Sequence, residues 1–177
     1  MSDVASVLYF AYGSNMDPET LRGRRGIRWT RAFPARLRGW RLAVDKPSLL
    51  GTGEGMATIV ADPESEVWGV VFEISAKDLE HLEFSEGVKI GHYERREVQL
   101  ERADGGERIV ARTLVSDERD ASFRPSTRYM KLLIDGATEH GLPAEWIAAL
   151  RAIEAFEETA EVASWRAFFD RGMGKPD

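Results

Sequence analysis

Apolar residues along the chain follow two rhythms, one of strands and one of helices. The run Val7-Leu8-Tyr9-Phe10-Ala11-Tyr12 is short, unbroken and rich in β-formers, the pattern of a buried strand. It breaks at Gly13-Ser14-Asn15-Met16. Asp17-Pro18-Glu19 then supplies a helix cap, a proline at the first helical position and an early acid, so a strand, a tight turn and a short helix are predicted in succession. Further strands are predicted over 40–44, 56–61 and 67–74, with the glycine-rich stretch 51–55 as a loop. Ser75-Ala76-Lys77-Asp78 has the spacing of a capping box, and Leu79 and Leu82 form the apolar stripe behind it. Strands over 93–100 and 109–115 flank Asp104-Gly105-Gly106, which reads as a hairpin turn.

The last third changes rhythm. Ser126 caps a predicted helix carrying Tyr129, Leu132 and Leu133 that ends near Gly141, and Pro143 restarts helix with Trp146, Ile147, Leu150 and Ile153 on one face. Strands first and helices gathered at the end point to an α+β fold, a closed or strongly curved sheet with flanking helices. No repeat, low-complexity tract or linker interrupts it, so residues 1–177 are expected to form a single domain.

Composition narrows the chemistry. The 177 residues contain no cysteine, which excludes a disulfide framework, a zinc–thiolate site and a thiol nucleophile. Thirty acidic against 24 basic residues give a formal charge of -6, the opposite of a basic nucleic-acid footprint. Met1-Ser2-Asp3-Val4 lacks the basic start and apolar run of a signal peptide, and no window has 18 uninterrupted apolar residues. A cytoplasmic protein without membrane contact is expected.

Four stretches are candidates for function. Backbone amides at the Tyr12-Gly13-Ser14-Asn15 turn, beside a helix start, suit a carboxylate or a developing oxyanion, although an ordinary tight turn has the same composition. A serine nucleophile elbow needs G-x-S-x-G, and here Ser14 is followed by Asn15 and Met16. The G-x-G-x-G loop at 51–55 precedes a strand rather than a helix and does not match a dinucleotide fingerprint. Glu86 follows a helix among apolar neighbours and next to glycine, where desolvation favours a base active near neutrality, but spacing alone does not separate it from Glu83. Arg22, Arg24, Arg25, Arg28, Arg31, Arg36, Arg38 and Arg41 interleave with Trp29, Phe33 and Trp40, a pattern shared by nucleic-acid platforms and by strands that bury their aromatics. His81, His92 and His140 show no metal-ligand spacing, so no metal site is expected; His92 stands beside Tyr93 at a strand start.

Taken together, six segments resemble the γ-glutamylcyclotransferase family. They are Leu8-Tyr9-Phe10-Ala11-Tyr12-Gly13-Ser14-Asn15-Met16, Gly55-Met56-Ala57-Thr58-Ile59, Val67-Trp68-Gly69-Val70-Val71, Glu86-Gly87-Val88 with Gly91-His92-Tyr93, Pro125-Ser126 with Tyr129, and Gly141-Leu142-Pro143. In order, they span about residues 7–155, leaving a helical extension after. The resemblance implies a small mixed or antiparallel β-barrel with flanking helices and a cavity. It also implies release of 5-oxoproline and a free amino acid or amine from γ-glutamyl compounds, with no cofactor. Carried over, Glu86 is the proton acceptor; Tyr9, Phe10, Ala11, Tyr12, Gly13, Ser14 and Asn15 form the substrate cradle; Tyr93 and Tyr129 line the pocket. Leu114 departs from the aromatic of close relatives and bears on substrate preference. A homodimer is compatible with the resemblance. The alternatives are a γ-glutamyl or carboxylate binding module without turnover, and a hydrolase using Ser14. The leaving group stays open: amino acid, amine, cysteinylglycine or a carrier-bound acyl chain.

Overall fold

A computed structural model describes residues 5–172. Five strands, β1 (Ser6–Ala11), β2 (Trp29–Pro47), β3 (Gly55–Ser75), β4 (Glu94–Arg102) and β5 (Arg108–Val115), close into a barrel in the order β1-β3-β2-β4-β5. All pairs are antiparallel except the closing one, where β1 meets β5 in parallel at Tyr9 and Arg112. Helices α1 (Ala76–Ser85), α2 (Thr127–Glu139), α3 (Ala144–Arg151) and α4 (Ala160–Gly172) flank it. The α+β barrel expected from the sequence is the fold observed.

Two expected strands are one. Residues 56–61 and 67–74 belong to the single strand β3, and the expected strand 40–44 is the far half of β2, which starts at Trp29. The register explains the break in pattern. Arg38 pairs with Glu66 but Trp40 pairs with Ala61, so Asp62 to Ser65 stand opposite Gly39 alone. Gly39 takes φ +81°, and the Asp62 carboxylate accepts from the Glu64 amide and the Ser65 hydroxyl, closing a bulge that interrupts the apolar alternation without ending the strand.

The arginines of β2 face outward, where Arg36 and Arg38 pair with Glu101 on β4 and Arg31 with Glu73 on β3. Phe33, Ala35 and Leu37 alternate with them and are buried, while Arg22 stacks on Trp29 at 4.1 Å. The alternation of arginine and aromatic is therefore the two-faced pattern of a half-buried strand.

Two glycines set the site's frame by close approach. A Cβ at Gly69 would lie 2.3 Å from the Ala11 carbonyl and 2.6 Å from the Phe10 ring, so β3 admits only glycine beside the end of β1. A Cβ at Gly136 would lie 2.6 Å from the backbone of Met16 and Asp17, so α2 rests directly on the turn after β1.

Candidate active site

Beyond the end of β1 lies a cavity of about 530 Å³, within the range of small-molecule sites. All four tyrosines of the chain, Tyr9, Tyr12, Tyr93 and Tyr129, line it with Gly13, Ser14, Asn15, Arg25 and Glu86. Three segments distant in sequence supply these residues, and each has a local reason to point inward.

The first is the turn after β1. Ser14 to Met16 form one 3-10 turn, with the Met16 amide bonded to the Gly13 carbonyl at 3.1 Å. No acceptor among the described residues takes the Ser14 or Asn15 amide. Asp17 caps the next turn as predicted, its carboxylate accepting from the Thr20 amide and hydroxyl, both at 2.8 Å. That turn differs from the expected short helix. It is π-helical over Glu19–Arg24, and the Arg25 amide reaches back five residues to the Thr20 carbonyl. Such widened turns cluster at functional sites because they re-aim one side chain.

The second segment ends α1. Ser75 caps this helix by accepting from the Asp78 amide, as the sequence predicts. Glu86 follows the last helical residue, and Gly87 turns the chain in the left-handed region at φ +72°. Glu83, one turn earlier, is buried and taken up by the Arg95 guanidinium, with Nε at 2.5 Å from Oε1. Glu86 instead faces the cavity. Its Oε1 accepts from Asn15 Nδ2 at 2.9 Å and from Arg25 Nη2 at 2.7 Å. No described residue donates to Oε2.

Arg25 is the residue that sequence reasoning missed, having counted it among the basic stretch. Besides Glu86 it donates to Asn15 Oδ1 at 3.3 Å and to Ser85 Oγ at 3.1 Å. Asn15 in turn donates to Tyr9 Oη at 3.1 Å. The only sequence signal for Arg25 is its place just after a capped turn that itself follows the Gly-Ser-Asn segment.

The third segment is the start of α2, where Ser126 caps by accepting from the Tyr129 amide. Tyr129 Oη accepts from the Ala57 amide at 3.0 Å, and Tyr93 Oη donates to the Ala57 carbonyl at 2.9 Å, so one residue of β3 fixes both rings. Tyr12 donates its hydroxyl to the Leu114 carbonyl, and Leu114 also lines the cavity. Burial pushes all four phenols up, Tyr129 to about 12, and Glu86 adds to the effect on each. At neutral pH they are uncharged donors and acceptors.

Phe10 and Ala11 do not line the cavity. Both are buried in the barrel, Phe10 with its ring against Gly69 and its carbonyl accepting from Thr113 Oγ1 at 2.8 Å. Within β1 these two build the wall that leads into the turn. Ser14 has no histidine partner, since His81 Nε2 meets the Arg25 carbonyl, His92 meets Lys46, and His140 packs edge-on against Phe72. A serine–histidine nucleophile is therefore not assembled. Among the described residues no three His, Asp or Glu side chains converge to hold a metal.

Residues 66–150 match the model of the AIG2-like family. The human protein named gamma-glutamylcyclotransferase is 38% identical over 167 residues, covering 91% of this chain and 86% of the relative. The bovine one is 36% identical with the same coverage. A solved structure titled gamma-glutamyl cyclotransferase superposes with a TM-score of 0.81 at 32% identity, over 95% of this chain and 99% of that one. At these identities, over most of both chains and with a shared fold, the chain belongs to the γ-glutamylcyclotransferase family.

Proposed function

We propose that the chain is a γ-glutamyl cyclotransferase in which Glu86 moves the protons and the turn after β1 holds the γ-glutamyl group. The observation that carries this reading is the state of Glu86. One of its oxygens is immobilised by Asn15 and Arg25, while the other receives no bond from a described residue and belongs to a residue lining the cavity.

The reaction needs little more. The α-ammonium of the substrate gives a proton to Glu86, and the freed electron pair attacks the γ-carbonyl carbon of the same molecule. Holding the chain folded makes the attack intramolecular, which removes much of the entropic barrier. Charge developing on the carbonyl oxygen is met by the Ser14 and Asn15 amides, donors without an acceptor among the described residues. The bond to the leaving nitrogen breaks as that nitrogen takes up the protons released by the α-nitrogen, relayed through Glu86. The products are 5-oxoproline and a free amine, and no oxidant or second substrate is consumed. The neutral tyrosines close the pocket without competing for the proton. A cytoplasmic setting fits a chain whose described helices are all too short or too polar to cross a membrane.

The test is Glu86→Gln assayed for 5-oxoproline by mass spectrometry. The amide keeps the bond from Asn15 and accepts no proton. The expected loss in kcat is about 10²-fold or more with an unchanged circular dichroism spectrum. Full activity in the folded variant removes Glu86 from the mechanism.

A further inference from the structure

Lys46, near the end of β2, is fully buried, which is rare for a lysine and costly unless the charge is compensated. Its ammonium has three hydrogen-bond partners, the Pro47 carbonyl at 3.3 Å, Glu118 Oε2 at 3.4 Å and His92 Nδ1 at 2.8 Å, and lies over the Tyr93 ring at 5.1 Å. The closest of these is a histidine. Glu118 is the carboxylate that offsets the burial, but it is largely exposed and its pull is screened by solvent. A methionine would fill the same space at lower cost, which singles out the lysine–histidine contact as the feature needing a reason.

His92 belongs to the same turn as Glu86. The carbonyl of Gly87 accepts from the His92 amide at 3.0 Å, and the imidazole packs edge-on against Tyr93 at 5.1 Å. Its side chain lines the cavity. An ammonium has only protons to offer, so His92 Nδ1 must accept, and the ring proton is then confined to Nε2. No described residue takes a bond from Nε2.

We infer that His92, fixed by Lys46 as a neutral ring with its proton on Nε2, is a specificity-determining donor for an oxygen acceptor on the leaving group of the cyclotransfer. This rests on the cyclotransferase reading of the same cavity. A leaving group with a carboxylate or carbonyl next to its nitrogen satisfies the donor, with the charge of Lys46 behind the ring favouring the carboxylate. A plain alkylamine leaves it unpaired. Lys46 is a positioning residue that acts through His92.

The groups facing His92 are Lys46 from β2, Glu86 from the end of α1, Tyr93 from the start of β4 and Glu118 from the segment after β5. Burial first and then Lys46 hold the imidazole below its ordinary range, against the smaller opposite pull of the two glutamates.

The test compares γ-glutamyl-alanine, γ-glutamyl-alaninamide and γ-glutamyl-ethylamide in the wild type, H92Q, K46M and the double variant K46M/H92F. Glutamine reproduces both roles, with Oε1 for the lysine and Nε2–H for the cavity. The wild type and H92Q are expected to prefer the alanine substrate over the ethylamide, with the alaninamide between. The double variant, whose apolar pair keeps the core filled, is expected to lose about tenfold of that preference through a raised KM for the alanine substrate. K46M is expected to lose part of the preference at neutral pH and to regain it on acidification, where an imidazolium donates from both nitrogens. Turnover of all three substrates with equal efficiency by the wild type, or an undiminished preference in the folded double variant, overturns the inference. Failure to release 5-oxoproline from any of them overturns the cyclotransferase reading instead, and this one with it.

Discussion

Glu83 and Glu86 are three positions apart and meet opposite fates. The earlier one lies inside α1 and is consumed by Arg95; the later one lies past the helix end, where Gly87 allows the chain to turn and expose it to the cavity. Tyr129 shows the same dependence on a single partner. Tyr129→Phe leaves the buried Ala57 amide without its acceptor, a loss of about 1–3 kcal/mol, and is expected to raise KM more than it lowers kcat. Steady-state kinetics on purified variant check it, and an unchanged KM reduces Tyr129 to packing. Arg25→Met is expected to impair turnover more than stability, because it frees both Glu86 and Asn15, and a melting curve beside the kinetics separates the two. At this scale the sequence was a partial guide. Asn15 and the four tyrosines stand in segments that a family resemblance picks out. Arg25 was hidden because an arginine with seven others nearby looks like surface charge, and only the π-turn that aims it inward distinguishes it.

Elements were legible wherever a local cap or turn fixed them. Ser75 and Ser126 cap α1 and α2 from the positions expected, and the β4–β5 hairpin turns at Asp104 to Gly106. The errors came where pairing across the sheet outweighs local pattern, as in β3, whose bulge opposite Gly39 looks in sequence like a loop between two strands. The contact of α2 with the turn after β1 was equally invisible, since nothing near Gly136 announces that Met16 and Asp17 touch it. Gly136→Ala forces a methyl into that contact. It is expected to destabilise by about 1–3 kcal/mol and to lower activity alongside, because the displaced elements carry Asn15 and Tyr129. Chemical denaturation and an activity assay on one preparation measure both.

For the molecule as a whole, burial of every tyrosine makes stability sensitive to alkali. The native phenols titrate above their ordinary value of about 10, whereas in the unfolded chain they ionise near it. The native state therefore binds more protons above pH 10, and stability falls as pH rises through that window. Phenolate absorbance is expected to appear together with unfolding, and titration of the phenols in a chain that stays folded contradicts it. At the other side of the cavity, Arg166 of α4 reaches the buried Glu54, which also accepts from the Ser126 cap at 2.5 Å. Arg166→Met is expected to cost about 3 kcal/mol by leaving Glu54 short of a partner, read as a lower urea midpoint.

The closing seam of the barrel has a consequence in time. Tyr12 bonds the Leu114 carbonyl across 102 positions of sequence, and Thr113 bonds the Phe10 carbonyl across 103. Strand β1 leaves the ribosome first, yet its antiparallel partner is residues 70–75 and its parallel partner is residue 112. Until those are synthesised an apolar strand waits unpaired, exposed to any other chain's edge. Loop closure of this length is slow, and the turn that holds the substrate is attached to the waiting strand. Tyr129 on α2 is made later still, so the cavity is complete only when the strand that seals the barrel and the helix after it have both been synthesised.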